Sequence, residues 1–382
     1  MRVVHVYRTY FPDPPGGLQE AIRQIALSTR ERGVEPRILT LSPTPRPTVV
    51  DYPEGQVIRE KSWAAPASCD LGGPGSVIRY RQMVEWADVV HFHFPWPFAD
   101  VLHLLGRTNK PTVMTYHSDI VRQKALGAVY GPLMRRTLRS MSAVVATSPA
   151  YARTSETLAA NVSKDRLKTI PLGIIDYRDA PQPADAQHKV QTRLGLAPGE
   201  PYFLALGVLR YYKGLHTLVE AARHVKARIV IAGSGPERDR LAALAQQHGA
   251  SNVVFAGQVT HDEKVALLKD CRAMVLPSHL RSEAFGMVLV EAAMFDKPMV
   301  CCEVGSGTSF VNENGVTGFV VAKEQAQELA RAMNALLDDD TLAATMGRAA
   351  RARYEKLFSG EALGKAYSAL YQEVAQNHMG KG

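Results

Sequence analysis

Short apolar runs in the first half of the chain alternate with stretches of helical periodicity. Runs at 3–7, 37–41, 88–92, 112–116 and 143–147 predict strands, and Leu18, Ile22, Ile25 and Thr29 recur at helical spacing over 18–32, with Gly33 as the stop. Strand and helix in alternation predict a parallel sheet. The alternation breaks at 176–198, a polar, proline-bearing stretch read as an interdomain connection. A second series of strands follows at 202–206, 228–232, 253–255, 273–276 and 298–300. Three helical patterns begin near 324, 341 and 360, and the last carries Leu363, Tyr367, Leu370 and Val374 on one stripe. The expected class is α/β: two Rossmann-like, doubly wound domains, 1–176 and 177–358, facing across a cleft. Segment 359–382 is expected to pack back toward the first domain. Ligands of such sheets bind beyond the carboxyl ends of the strands.

The length of 382 residues, 46% of them hydrophobic, agrees with two cores. No run approaches the ~20 apolar residues that span a bilayer, and the first residues read as a strand, so a cytoplasmic protein is expected. Cys69, Cys271, Cys301 and Cys302 show no C-x-x-C spacing and fit reduced thiols. A net charge of +8 favours anionic partners, nucleotides and acidic membrane surfaces among them. No basic module for reading nucleic acid is present. No G-x-G-x-x-G follows the first strand, which argues against a nicotinamide enzyme.

The densest chemistry lies at 282–291, where Glu283 and Glu291 bracket the start of a predicted helix. The turn at Gly286 would free the amides of Phe285, Gly286, Met287 and Val288, and a helix amino end holds a diphosphate without metal. Acids beside such an anion suit neutral hydroxyls of the same ligand, on a sugar and on a ribose. A solvated acid pair is the bland alternative. The glycine-bounded loop 207–214 brings Arg210 and Lys213 to the end of a strand, where two cations would neutralise a leaving diphosphate. Gly235, in Gly-Ser-Gly-Pro, would let a nucleoside approach the backbone. Gly16 and Gly17, after Pro15, offer amides before the first helix. His117 stands at the end of a strand and can reach a sugar hydroxyl or phosphate. His91 and His93 share a strand face, but no further metal ligand lies nearby in sequence, so their segment reads as a packed strand end or an aromatic pocket wall. Arg122, Lys124, Arg135, Arg136 and Arg139, with Val129, Leu133, Met134 and Leu138, form a basic amphipathic helix near 127–140. That helix suits either a solvated face or an anionic lipid surface.

The paired halves, the glycine pair, His117, the Lys213-Gly214 loop and the E-x7-E of Glu283 and Glu291 together resemble the retaining glycosyltransferases of family 4, with the GT-B fold. The resemblance covers essentially the whole chain. It implies a nucleotide-diphosphate sugar as donor, a hydroxyl acceptor, retained configuration, no divalent metal and no other cofactor. By position it implies phosphate contacts from Gly16 and Gly17, a sugar contact from His117, diphosphate contacts from Arg210 and Lys213, sugar hydroxyls on Glu283 and ribose on Glu291. The segments 116–124, 93–97 and 210–214 look like bacterial mannosyl- and rhamnosyltransferases of surface polysaccharide assembly. Such enzymes use GDP-sugars and glycan or lipid-linked acceptors, which extends the expected location to the cytoplasmic face of the inner membrane.

One departure stands out: many relatives carry Arg where this chain has Val208, and Arg210 is expected to replace it from an extended loop, where positions two apart face the same side. The competing readings are a non-catalytic sugar-nucleotide sensor and a GT-B epimerase or hydrolase.

Overall fold

A computed structural model of the protein describes residues 1–13, 16–66, 69–106, 108–119 and 124–380, with the side chains of 124–129 outside the description. The chain divides into two units, Met1–Ile175 with Ser359–Gly382, and Asp176–Phe358.

The first unit holds strands β1 (Arg2–Val6), β2 (Glu35–Ser42), β3 (Val49–Tyr52), β4 (Gly55–Ala64), β5 (Leu71–Gly72), β6 (Val89–Phe94), β7 (Thr112–Tyr116), β8 (Ala143–Ala146) and β9 (Leu167–Thr169). They form one sheet in the order β3-β4-β2-β1-β6-β7-β8-β9, with β5 on β4. Only β3 and β5 run antiparallel to their neighbour. The second unit holds β10 (Tyr202–Leu206), β11 (Arg228–Ala232), β12 (Val253–Gly257), β13 (Ala273–Leu276), β14 (Met299–Glu303) and β15 (Gly318–Ala322), all parallel, in the order β12-β11-β10-β13-β14-β15. Numbered within each unit along the parallel strands, both sheets begin 3-2-1-4-5-6, the doubly wound order of Rossmann folds. The strand order reverses between β1 and β6 in one unit and between β10 and β13 in the other. Chain leaving those strand ends is where such a fold builds a site.

Continuous burial explains why the central strands were legible. Every residue of β6, β7, β10 and β13 is buried, as a strand covered on both faces requires. The outer strands were not: β4, next to the edge strand β3, carries Arg59, Glu60 and Lys61, and the edge strand β15 has only one fully buried residue. The stretch 176–198 is corrected as well. It contains a helix, Ala186–Leu194, whose buried positions Ala186, Val190 and Leu194 make too short a stripe to stand out.

The last helix, Gly360–Met379, belongs to the first unit and buries Leu363, Tyr367, Leu370, Tyr371 and Val374. Gly364 is what lets it approach the helix Gly17–Arg30. A Cβ there would lie 2.3 Å from the Ser28 carbonyl oxygen.

Candidate active site

In the second unit, the loops that follow β10 and β11 press backbone against backbone and must stay free of side chains at several points. Gly207, Gly233 and Gly235 all have positive φ, and a Cβ at Gly233 or Gly235 would collide with the backbone of Gly207 or Leu209. This close approach is sufficient reason for glycine at 235, independent of any nucleoside. The expectation of an extended loop from Val208 to Arg210 is corrected. The Arg210 amide donates to the Val208 carbonyl at 2.9 Å, a three-residue turn that buries Leu209. Val208 and Arg210 are nevertheless both exposed, and among the described residues the Arg210 guanidinium has no acceptor.

Lys213 ends this loop, and its Nζ lies 2.5 Å from Glu283 Oε2. Ser278 Oγ donates to the same oxygen at 3.2 Å, and Ser306 Oγ donates to the Glu283 carbonyl at 2.6 Å. Both side chains of the pair are nearly buried. Burial works against the Lys213 charge, but the Glu283 carboxylate outweighs it and holds the ammonium above its ordinary range. The carboxylate is thus neutralised and anchored on one oxygen, a geometry for binding and orienting rather than for nucleophilic attack.

Gly286, at φ 87°, starts the helix Met287–Met294. Among the described residues the amides of Phe285, Gly286, Met287 and Val288 have no acceptor, as at any helix amino end. They point four unpaired N–H groups from a helix amino end, an arrangement able to accept an anion. Glu291, in the same helix, accepts from Lys264 at 2.6 Å and from Tyr177 at 2.8 Å, both on Oε1.

In the first unit, Gly16 and Gly17 are exposed at the amino end of the helix Gly17–Arg30, and among the described residues no atom outside its own turn lies within 4 Å of a Cβ built on Gly17. Pro15 lies outside the described residues. His117 follows β7 and is buried, with Nε2 3.1 Å from His93 Nδ1; His93 Nε2 in turn lies 3.0 Å from His5 Nδ1. Burial lowers both His5 and His117 to about 3, and it lowers His91 and His93 as well, so all four rings are neutral near pH 7. The apparent lack of further ligands for His91 and His93 is also corrected, because His5 on β1 joins them within 4.8 Å. His91, however, is already bonded to Tyr371 at 2.7 Å and Thr115 at 2.8 Å. His5, His93 and His117 form a hydrogen-bonded chain of rings with His91 packed against His5 and His93, and Phe92, Phe94 and Trp96 are buried as well.

Arg135, Arg136 and Arg139 are exposed on the helix Lys124–Ser140, while Leu138 is buried and Leu133 and Met134 are partly covered. Arg122 and the side chains of Lys124 and Val129 lie outside the described residues. Sequence reasoning missed Ser278, Ser306, Lys264, Tyr177 and His5. Ser278 alone had a local signal, five residues before Glu283; the others arrive from distant parts of the chain.

Two Rossmann-ordered sheets in one chain, the second with this acid, base and amide arrangement at its switch point, define a glycosyltransferase of the GT-B class. Solved structures bear out the fold. Sucrose-phosphate synthase from Thermosynechococcus elongatus matches with a TM-score of 0.80 over 98% of both chains at 23% identity. WaaG, a glycosyltransferase involved in lipopolysaccharide biosynthesis, matches at 0.70 and 18% identity over 96% of this chain and 99% of that one. The family model Glycosyltransferase Family 4 matches residues 15–178, and Glycosyl transferases group 1 matches 187–353. O-antigen chain mannosyltransferase C of Escherichia coli is 39% identical over 99% of this chain and 100% of its own. D-rhamnosyltransferase WbpZ of Pseudomonas aeruginosa is 44% identical over 94% and 92%. The chain belongs to this family of GT-B glycosyltransferases.

Proposed function

We propose that the chain is a retaining, metal-independent hexosyltransferase of family 4 that moves mannose or rhamnose from a GDP-sugar to a glycan or lipid-linked glycan in O-antigen-like polysaccharide synthesis. The Lys213–Glu283 pair beside the amide cradle of Phe285 to Val288 carries this reading, and the names of the two relatives at 39% and 44% identity supply the sugar and pathway class. The second unit is the donor domain and the first the acceptor domain. Arg210, exposed and unpartnered among the described residues, supplies the second cation in place of the position held by Val208.

In the reaction, the bond from the anomeric carbon to the diphosphate oxygen breaks while the acceptor oxygen bonds to that carbon from the same face. The acceptor's proton passes to the departing diphosphate oxygen. Lys213, Arg210 and the four amides stabilise the charge that develops there. Glu283 holds sugar hydroxyls and Glu291 the ribose, each carboxylate fixed in place by its lysine. Gly16 and Gly17 contact phosphate. His117 donates to the sugar, and the direction of its hydrogen bonds follows from His5. His5 Nε2 is buried without a partner, and a buried N–H without an acceptor costs more than a bare lone pair. The proton of His5 therefore sits on Nδ1, that of His93 on Nδ1, and His117 is left with Nδ1–H facing the ligand.

The protein is cytoplasmic in this reading, with Arg135, Arg136 and Arg139 in peripheral contact with anionic lipid; no described helix is long and apolar enough to cross a membrane. The test is incubation with a panel of labelled nucleotide sugars, with and without lipid extract and chelator, and NMR of the product's anomeric proton. Chelator-resistant transfer from GDP-mannose or GDP-rhamnose with an α product is expected. A β product, or transfer that chelator abolishes and magnesium or manganese restores, overturns the mechanism.

A further inference from the structure

A second cluster of titratable groups in the second unit has no part in the transfer chemistry. His279 leaves the end of β13, His216 lies in the first turn of the helix Leu215–Ala222, and Glu324 follows β15. Their ligand atoms lie within 4.8 Å of one another. His279 is 3% exposed, and both its ring nitrogens are buried without a hydrogen-bond partner. That is costly for an imidazole, which carries a donor on one nitrogen and an acceptor on the other.

The two rings are also held in a specific relation. Their centroids are 5.1 Å apart at an interplanar angle of 81°, and Tyr211 braces both, stacking on His216 and meeting His279 edge to face. Two imidazoles sharing one tetrahedral ion at about 2.0–2.1 Å place their centroids about 5 Å apart. The observed pair already has that spacing. Glu324 is exposed, and one of its carboxylate oxygens already lies within 4.8 Å of a nitrogen of each ring.

We propose that His216, His279 and Glu324 bind one divalent cation of the zinc type through two imidazole nitrogens and a carboxylate. Two nitrogens and one oxygen suit zinc over the hard, oxygen-seeking magnesium or calcium, and three protein ligands leave a coordination position for water. The ion ties together the chain leaving β10, β13 and β15, including the loop that carries Glu283. It stands apart from the sugar-transfer reading, since none of its ligands contacts the donor in that reading.

The test is calorimetric titration of chelator-stripped full-length protein with zinc chloride at pH 7.5, with cobalt chloride as a spectroscopic stand-in. One equivalent is expected to bind saturably, with visible absorption from tetrahedral cobalt and a rise in unfolding temperature. His216→Ala and Glu324→Gln should each weaken zinc binding at least tenfold. Glu324→Gln changes only an exposed side chain, so its fold is expected to be intact by circular dichroism. Absence of a stoichiometric phase in the wild type overturns the proposal. Wild-type affinity in both variants also overturns it, and would place the ion elsewhere, as at His5, His91 and His93.

Discussion

Lys213 and Glu283 are an ion pair with little exposure to solvent, and such a pair is retained for position more than for stability. In the proposed reaction the departing diphosphate needs a fixed cation, and the Glu283 carboxylate, 2.5 Å from Lys213 Nζ, would hold that cation in place before the donor arrives. Lys213→Ala should therefore lower kcat at saturating donor about a hundredfold or more, corresponding to roughly 3 kcal/mol in the barrier. Wild-type kcat in that variant would remove Lys213 from the reaction. Gly17 gives a complementary test, because among the described residues no atom outside its own turn lies within 4 Å of an added Cβ. Gly17→Ala should leave stability unchanged or raise it by about 0.5–1 kcal/mol, while kcat/KM falls at least tenfold if phosphate approaches those amides. Unchanged kcat/KM would take the glycine pair out of the site.

Among the elements, the helix Gly360–Met379 shows how a segment distant in sequence completes the core of the first unit. Tyr371 bonds His91 and Tyr367 bonds Thr115, so this helix supplies polar partners to the histidine layer beneath it as well as apolar cover. Tyr371→Phe would leave His91 Nδ1 buried without a partner and should cost about 1–3 kcal/mol in urea unfolding. A change within error would mean that the bond contributes nothing net. The apolar stripe of this helix was legible from Leu363, Tyr367, Leu370 and Val374, because spacing along a helix is local. Its polar contacts were not, since nothing near Tyr371 in the chain points to His91. The same contrast holds for Glu291, whose place on a helix was readable and whose partners Lys264 and Tyr177 were not.

For the whole molecule, four buried neutral imidazoles in one unit predict an asymmetric response to acid. Folded-state values for His5 and His117 near 3 lie below the ordinary 6.5, so the unfolded chain binds protons that the native state refuses. Their stabilisation is fully present above pH 6.5 and is lost as pH falls from there toward 3, by about 1.4 kcal/mol per pH unit for each such histidine. Calorimetry from pH 7 to 4 should show the transition of the first unit moving down ahead of that of the second. Coincident, parallel shifts of the two would contradict this.

The sequence by itself determined the alternation of strands and helices, the two units, the glutamate pair and the cations of the 207–214 loop. These are signals carried by neighbouring residues: periodicity, uninterrupted apolar runs and glycines that punctuate turns. Only the tertiary structure decided that Lys213 closes on Glu283, that Leu209 turns inward between Val208 and Arg210, that His5 joins His93 and His117, and that His216, His279 and Glu324 converge. In a parallel sheet, strands adjacent in space are separated in sequence by whole crossovers. The partners at a switch point are therefore set by strand order, which no local pattern records.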